Sequence, residues 1–299
     1  MDLSQIRTFN MVARHGSFSA AAKALRVTQP GLTKAVRRLE ASLDCTLFRR
    51  LPRGVALTQQ GQALLRHASL LEVQVEDARK EVRALSGGAF GELRIGAGPS
   101  WLSRALPRIV ARLAEEYPTI SFHIVGGYNS VLMEALSNGS LDLVVSALPD
   151  QCPSGLQAIP LTADTIAPVA RRNHPLRSKR RPRPSDTLAY PWVLPGRDVL
   201  LRSRLEALFH VAGIEPPPAK IEADSISFIA AVLRDSDMLS FATSQVLRSE
   251  MDGVALLPIP GLTMTRAAGI LFRSTAGITP ATRAFIEAMK KRARELGTN

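Results

Sequence analysis

Residues 27–40 read VTQPGLTKAVRRLE. The tail of this stretch has the spacing of an amphipathic helix: Leu32, Val36, Leu39 and Leu43 follow at intervals of four, three and four. Its head is unlike a helix interior. Thr28 reads as an N-cap whose hydroxyl meets an orphan backbone N–H, and Pro30 falls in the first turn, where its missing N–H costs nothing. The face opposite the apolar stripe carries Gln29, Thr33, Lys34, Arg37 and Arg38. An apolar back with a polar, basic front suits insertion into the DNA major groove. There Gln can bond two positions on adenine, Arg and Lys reach guanine or phosphate, and Thr meets the thymine methyl. Small residues at the helix start let the backbone approach the groove floor, which adds Thr28 and Pro30 to the candidate contacts. A solvated surface helix with spare cations would look the same in isolation, so the flanking chain has to decide.

Upstream, Leu3, Ile6, Phe9, Val12 and Ala13 share one helical face, and His15-Gly16 ends that helix. Ser17 or Ser19 caps a short helix rich in alanine (Ala20, Ala21, Ala22, Leu25), whose small side chains allow close packing. Arg26-Val27 then forms a tight turn. Two short helices, a tight turn and a basic third helix make a helix-turn-helix. Downstream, DCTLFRRLPRGVALT (44–58) places apolar residues on either side of a basic turn and reads as a two-stranded wing. Arg50 and Arg53 of that turn would lie on the DNA backbone or dip into the minor groove.

From Thr58 to Ser86 there is no proline, and the only glycine is Gly61. Leu64, Ala68, Leu71, Val75, Ala78, Val82 and Leu85 recur at alternating intervals of four and three, a heptad seam on a helix roughly 40 Å long. Such a stripe needs a partner. The expected one is the same helix of a second subunit; the alternative is its own chain. Ser86-Gly87-Gly88 would end the helix and begin a hinge.

The periodicity changes from Gly91. Strands at 92–97, 119–125 and 141–147 alternate with helices at 99–117 and 129–138, a β-α-β-α-β unit with a parallel, two-side-covered sheet. A second unit follows, with strands at 192–194, 220–223 and 238–242 and helices at 201–212 and 226–234. A strand at 267–272 and a helix opened by Thr279-Pro280 complete the chain. Helix-opening polar residues cluster at the carboxyl ends of these strands: Ser100, Asn129 with Ser130, and Ser225. Ser146 lies at the end of a strand. Ligands of open α/β sheets sit at such ends, where helix N-termini favour anions. Arg197 and Arg202 could add charge. Each of these residues taken singly is also a plain cap; together they predict a small-anion cleft between two lobes. Trp101 and Phe228 nearby suggest an aromatic ligand.

Charge supports this division of labour. The 299 residues carry a net +12, and residues 1–66 hold 11 Lys/Arg against 3 Asp/Glu. A polyanionic partner for the N-terminal part follows. Cys45 and Cys152 form neither a disulfide framework nor a metal motif. The N-terminus lacks an apolar signal segment and no run suits a membrane span, so the expected location is the cytoplasm. Gly96-Ala97-Gly98 lacks the third glycine of a dinucleotide fingerprint, and Pro99 intrudes. The five histidines show no metal-ligand spacing. No cofactor, metal or catalytic residue is therefore expected. The basic loop at Arg177–Arg183 reads as a solvated connection, the alternative being a supplementary contact with DNA or an acidic partner.

The head resembles the DNA-binding domain of LysR-type transcriptional regulators. Leu3, Phe9, Gly16-Ser17-Phe18, Ala21-Ala22, Leu25, Thr28-Gln29-Pro30, Leu32-Thr33, Val36, Leu39-Glu40, Leu47-Phe48-Arg49-Arg50 and Leu57-Thr58-x-x-Gly61 carry the likeness over about 65 residues. The remainder matches the family's layout. The resemblance implies a winged helix-turn-helix (1–58), a linker helix that dimerises as an antiparallel coiled coil (59–88), and an effector domain like type II periplasmic binding proteins (89–299). Lobe I would span 89–165 and 267–299, and lobe II 166–266. It further implies a homotetramer on double-stranded operator DNA, controlled by a small effector, with RNA polymerase as a candidate partner. Gly31, Asp44 and Leu51 depart from the family pattern. Two rivals are a solute receptor of the same two-lobed fold, against which the N-terminal head argues, and an α/β enzyme, for which no nucleophile–base pair is visible.

Overall fold

The computed structural model describes residues 1–85, 91–103, 105–196, 200–274 and 278–297. The expected hinge at Ser86–Gly88 and Arg197 lie outside the described residues. The chain forms two compact units, Met1–Leu85 and Ser86–Asn299.

In the first unit, α1 (Leu3–His15) is held at its start by Asp2 and Gln5 in a reciprocal capping box and stops at Gly16, whose φ of 59° places it in the left-handed region. Ser17 caps α2 (Phe18–Leu25), and Arg26 closes it at φ 56°. Thr28 caps α3 (Gln29–Ser42), its hydroxyl accepting from Gly31 N at 3.3 Å. A Cβ on Gly31 would stand 3.0 Å from that hydroxyl, so glycine suits this cap. Asp44 takes φ 49°, as its short polar side chain permits. The wing is an antiparallel pair, β1 (Phe48–Arg50) with β2 (Val55–Leu57).

Two apolar clusters hold these pieces together. Ile6, Phe9, Leu39, Leu47 and Ala68 form one; Val12, Ala21, Ala22, Leu32 and Val36 form the other. Phe48 touches both, with its ring 5.3 Å from Phe9 and 5.7 Å from Phe18. Leu43, expected in the core, is 37% exposed because α3 ends one residue earlier. Helix α4 (Gln59–Leu85) begins where Thr58 accepts from Gly61 N. Its heptad stripe divides. Ala68 is buried and Leu64 packs against the head, whereas Leu71 and Val82 are exposed, the latter by 63%.

Among the described residues the second unit has a curled seven-stranded mixed sheet and a separate parallel pair, with helices packed around them. Its elements are β3 (Gly91–Ala97), α5 (Pro99–Leu102), α6 (Ala105–Glu116), β4 (Ile120–Gly126), α7 (Asn129–Ser137), β5 (Leu143–Ala147) and β6 (Leu156–Arg171). There follow α8 (Pro175–Ser178), a 3₁₀ turn (Pro184–Ala189), β7 (Trp192–Leu194), α9 (Leu200–Val211), β8 (Ala219–Glu222), α10 (Ile226–Arg234) and β9 (Ser240–Thr243). The chain ends with α11 (Ser244–Glu250), β10 (Val254–Leu256), β11 (Met264–Arg273) and α12 (Pro280–Gly297).

Strand β3 pairs in parallel with β4 and β5, as expected. The sheet as a whole departs from the all-parallel expectation: β11 runs antiparallel to both β5 and β6. The 16-residue β6 is a strand although Pro160 and Pro168 are strand breakers. Pro160 stands opposite Gly269, where the register shifts and no ladder donor is required of it. The expected helix 99–117 is two helices, α5 ending at Leu102 with Ser103 as its C-cap. Lobe I is built on Leu93, Ile95, Leu106, Ile270, Phe285 and their neighbours, and lobe II on Trp192, Phe209, Ile229, Leu233 and Leu239 among others.

His174, buried in lobe II, generates a pH prediction. Its Nδ1 accepts from Leu176 N at 3.1 Å and its Nε2 lies 3.1 Å from the Asp237 carbonyl, so the neutral ring with a proton on Nε2 satisfies both. Burial holds its pKa below the ordinary 6.5, against the opposing pull of Asp237. Above that value both folded and unfolded chains carry a neutral ring. Below about pH 6.5 the unfolded chain takes the proton first, so stability should fall as the pH drops from there toward the folded-state pKa and level off below it. Melting curves across this range should show the loss in the native chain and a shallower loss in His174→Gln.

Candidate nucleic-acid interface and interlobe cavity

The recognition helix α3 and the wing bound an open groove. Ser17, Ser19, Gln29, Thr33, Arg37, Arg50 and Leu51 line it. Four of the sequence-expected contacts, Gln29, Thr33, Arg37 and Arg50, therefore meet at one place. Thr28, Pro30, Lys34, Arg38 and Arg53 are exposed residues outside that lining. Among the described residues no carboxylate pairs with Lys34, Arg37, Arg38, Arg50 or Arg53. Five cations without internal partners are electrostatically suited to phosphates.

The wing's position relative to α3 depends on a residue that sequence reading placed only within a motif. Glu40 Oε1 accepts from Leu47 N at 2.7 Å and from Phe48 N at 3.3 Å, tying the last turns of the helix to the first wing strand. On the other side Val55 N donates to the Gly16 carbonyl at 2.8 Å. A Cβ at Gly54 would come 2.4 Å from that same oxygen, so only glycine permits the approach. Glu40→Ala would leave two backbone donors unpaired beside the core, a cost of about 1–3 kcal/mol. Denaturation should register this loss, and Glu40→Gln, which keeps one acceptor, should lose less.

The second unit holds a cavity at the carboxyl ends of β3, β5, β7 and β9, of about 1010 Å³ with its open mouth included. It lies at the strand ends where ligands of open α/β sheets sit. Ser100, Asn129 and Ser146 line it. Ser100 Oγ lies 3.2 Å from Thr243 Oγ1, and Thr243 in turn caps α11 through Val246 N at 3.1 Å. Asn129 is no cap. Its Nδ2 donates to the Ala147 carbonyl at 2.9 Å and its Oδ1 accepts from the Ser146 hydroxyl, fixing α7 to the end of β5.

Other expected residues lie apart. Ser130 is exposed outside the lining, and Ser225 caps α10 through Phe228 N. Arg202 is buried away from the cavity, held by Glu206 at 2.7 Å, the Pro195 carbonyl at 3.1 Å and Glu222 at 3.9 Å. It ties α9 to the ends of β7 and β8. Trp101 is in the lobe I core, and Phe228 is exposed. The cavity's rings are instead Tyr128 and Phe241.

Sequence reading missed the cavity's two cations. Arg204 and Arg266 line it, Arg204 pairing with Asp150 at 2.8 Å and Arg266 with Asp164 at 3.7 Å. Arg204 lies two residues past Arg202, a spacing that puts the two on different faces of α9. Asp164 and Arg266 face each other in the β6–β11 register. Burial pushes the Asp164 carboxyl up and the Arg266 guanidinium down, while the charge of each opposes the other's shift. The Tyr128 phenol is pushed up to about 12, first by burial and then by the charge of Asp224, so it stays protonated and donates to the Asp224 carbonyl at 3.1 Å.

The comparisons with known proteins agree with both parts. Residues 3–62 match the model "Bacterial regulatory helix-turn-helix protein, lysR family", and residues 86–294 match "LysR substrate binding domain". The chain is 34% identical over 290 residues to the SDS degradation transcriptional activation protein of Pseudomonas sp. (strain ATCC 19151), covering 95% of this chain and 94% of that one. It is 32% identical over 257 residues to the transcriptional regulator PcaQ of Agrobacterium fabrum, covering 85% and 83%. The fold is shared with full-length CbnR solved with its target DNA, at a TM-score of 0.65, 24% identity and coverage of 98% and 100%. With a helix-turn-helix head and a substrate-binding domain matched over most of its length, the chain belongs to the LysR family of transcriptional regulators.

Proposed function

We propose that this regulator reads operator DNA with Gln29 and Thr33 against base edges, while Lys34, Arg37, Arg38, Arg50 and Arg53 hold phosphates and Thr28 and Pro30 allow close approach. The observation that carries this reading is the groove between α3 and the wing, where Gln29, Thr33, Arg37 and Arg50 meet and the one lining carboxylate, Glu40, is engaged by the wing backbone. A small organic anion in the interlobe cavity modulates the response, with Ser100, Asn129 and Ser146 on its walls. The ligand acts by differential affinity for two lobe arrangements, since only such a difference shifts an equilibrium. The protein works by binding rather than by turnover. No helix of the described residues is long and apolar enough to cross a membrane, which accords with action in the cytoplasm beside DNA and RNA polymerase.

Helix α4 supplies the dimer contact, and pairs of dimers make the tetramer. Its own chain covers the stripe at Ala68 but leaves Leu71 and Val82 in solvent, and an equivalent helix would bury them. Val75→Asp puts like charges into that seam from both chains. Sedimentation should then show the oligomer reduced to smaller species; an intact oligomer would mean that α4 does not pair through this stripe.

Sequencing the DNA fragments retained by the purified protein tests the regulator reading directly and supplies the operator. With that operator, Arg53→Ala should weaken binding about equally on specific and random DNA and reduce the salt slope by about 1. Gln29→Ala should instead erode discrimination by about 1–3 kcal/mol. If specific and random affinities fell together for Gln29→Ala, base reading by this side chain would be wrong.

A further inference from the structure

We propose that the interlobe cavity selects an amphipathic monoanion, one acidic head bound at Arg204 with an uncharged apolar body, and that Asp164 enforces the single charge by cancelling Arg266. The inference deepens the effector reading above and rests on it.

The cavity's charges carry the argument. Among the described residues lining it, the charged ones are Arg204 and Arg266, and no carboxylate faces in. The two guanidiniums sense each other's charge, which places the positive potential at one end. Their counter-ions differ. Asp164, opposite Arg266, is 2% exposed and embedded in the strand pair, so it cannot be exchanged into water. Asp150, opposite Arg204, is 88% exposed and solvated. A ligand carboxylate can displace Asp150 at small cost, because an exposed ion pair is worth little. At Arg266 the same carboxylate would meet the field of a buried like charge. One acidic group is therefore accommodated, and it belongs at Arg204.

The rest of the wall offers no second charge. Leu205, Ile226, Ile229, Val246 and Met251 present an apolar surface, and its polar groups, the hydroxyls of Ser100, Ser146, Ser240 and Thr243 with Tyr128 and Asn129, are all uncharged. A second carboxylate placed along this surface would be desolvated without a cationic partner. A neutral ligand would forgo the charge-assisted bonds at Arg204.

Calorimetry on the full-length chain tests this with three probes of matched length: octanoate, suberate and octan-1-ol. Octanoate should bind about tenfold tighter than either of the others. Arg204→Met should reduce octanoate to the level of octan-1-ol and leave octan-1-ol unchanged. The paired substitution Asp164→Asn with Arg266→Gln replaces one neutral pair by another, and the preference for octanoate should survive it. Loss of the preference in this pair would make Arg266 the anion site and overturn the proposal. So would suberate or octan-1-ol matching octanoate in the native chain, or the absence of binding by all three. Ile226→Trp, which fills part of the cavity, separates this failure from that of the effector reading. It should abolish octanoate binding; if octanoate still binds, the probe sits elsewhere and the cavity loses its assignment as the effector site. If binding is lost in Ile226→Trp but octan-1-ol matches octanoate in the native chain, only the charge assignment falls.

Discussion

Strands β6 and β11 pair antiparallel from Leu156 opposite Arg273 to Ile166 opposite Met264, and both lobes are hung on this ladder. β11 also joins β5 in lobe I, and β6 goes on to join β9 and β10 in lobe II. The backbone thus crosses between lobes twice, side by side. Such a pair resists shear through its hydrogen bonds yet can twist, which suits a two-lobed body that must respond to a ligand. The same ladder positions the buried charges, because Asp164 and Arg266 are register partners within it. A close backbone approach is part of the arrangement: a Cβ on Gly269 would stand 2.1 Å from the Ile159 carbonyl oxygen.

The DNA-binding head obeys a different economy. It is small, and much of its cohesion runs through Phe48, which joins two apolar clusters while sitting on a wing strand. The wing is therefore not an appendage. Its first strand is bonded to α3 through Glu40 and its second to the α1–α2 corner through Gly16. A rigid frame of this kind lets exposed cations face outward without internal partners. The side chains that would touch DNA do not also have to hold the fold together.

Legibility followed the range of the interactions. The helix caps at Ser17, Thr28 and Thr279, the turn at Arg26, the wing strands and the apolar faces of α1 and α3 all arise from residues within one or two turns of each other, and each could be read from the sequence. A cavity lies at the strand ends that the rule points to, and Ser100, Asn129 and Ser146, named there, line it. Failures came where distant chain decides. Arg202 and Arg204 have the same chemistry and nearly the same position. Which one faces the cavity depends on Glu206 and Glu222 capturing the first and on the exposed Asp150 meeting the second.

The sequence by itself therefore determined the family, the helix-turn-helix, the concentration of charge in the head, and the α/β character of the body. The family rests on the resemblance of the head's residues, and the others on periodicity, capping and composition, which are local properties of the chain. Tertiary structure alone decided that β11 runs antiparallel, that β6 is a strand despite two prolines, and that α4 leaves part of its stripe uncovered by its own chain. It also decided that one buried carboxylate faces one of the cavity's two cations. Each of these depends on what lies opposite a residue in space, and for Asp164 the opposing residue is about a hundred positions away in the chain.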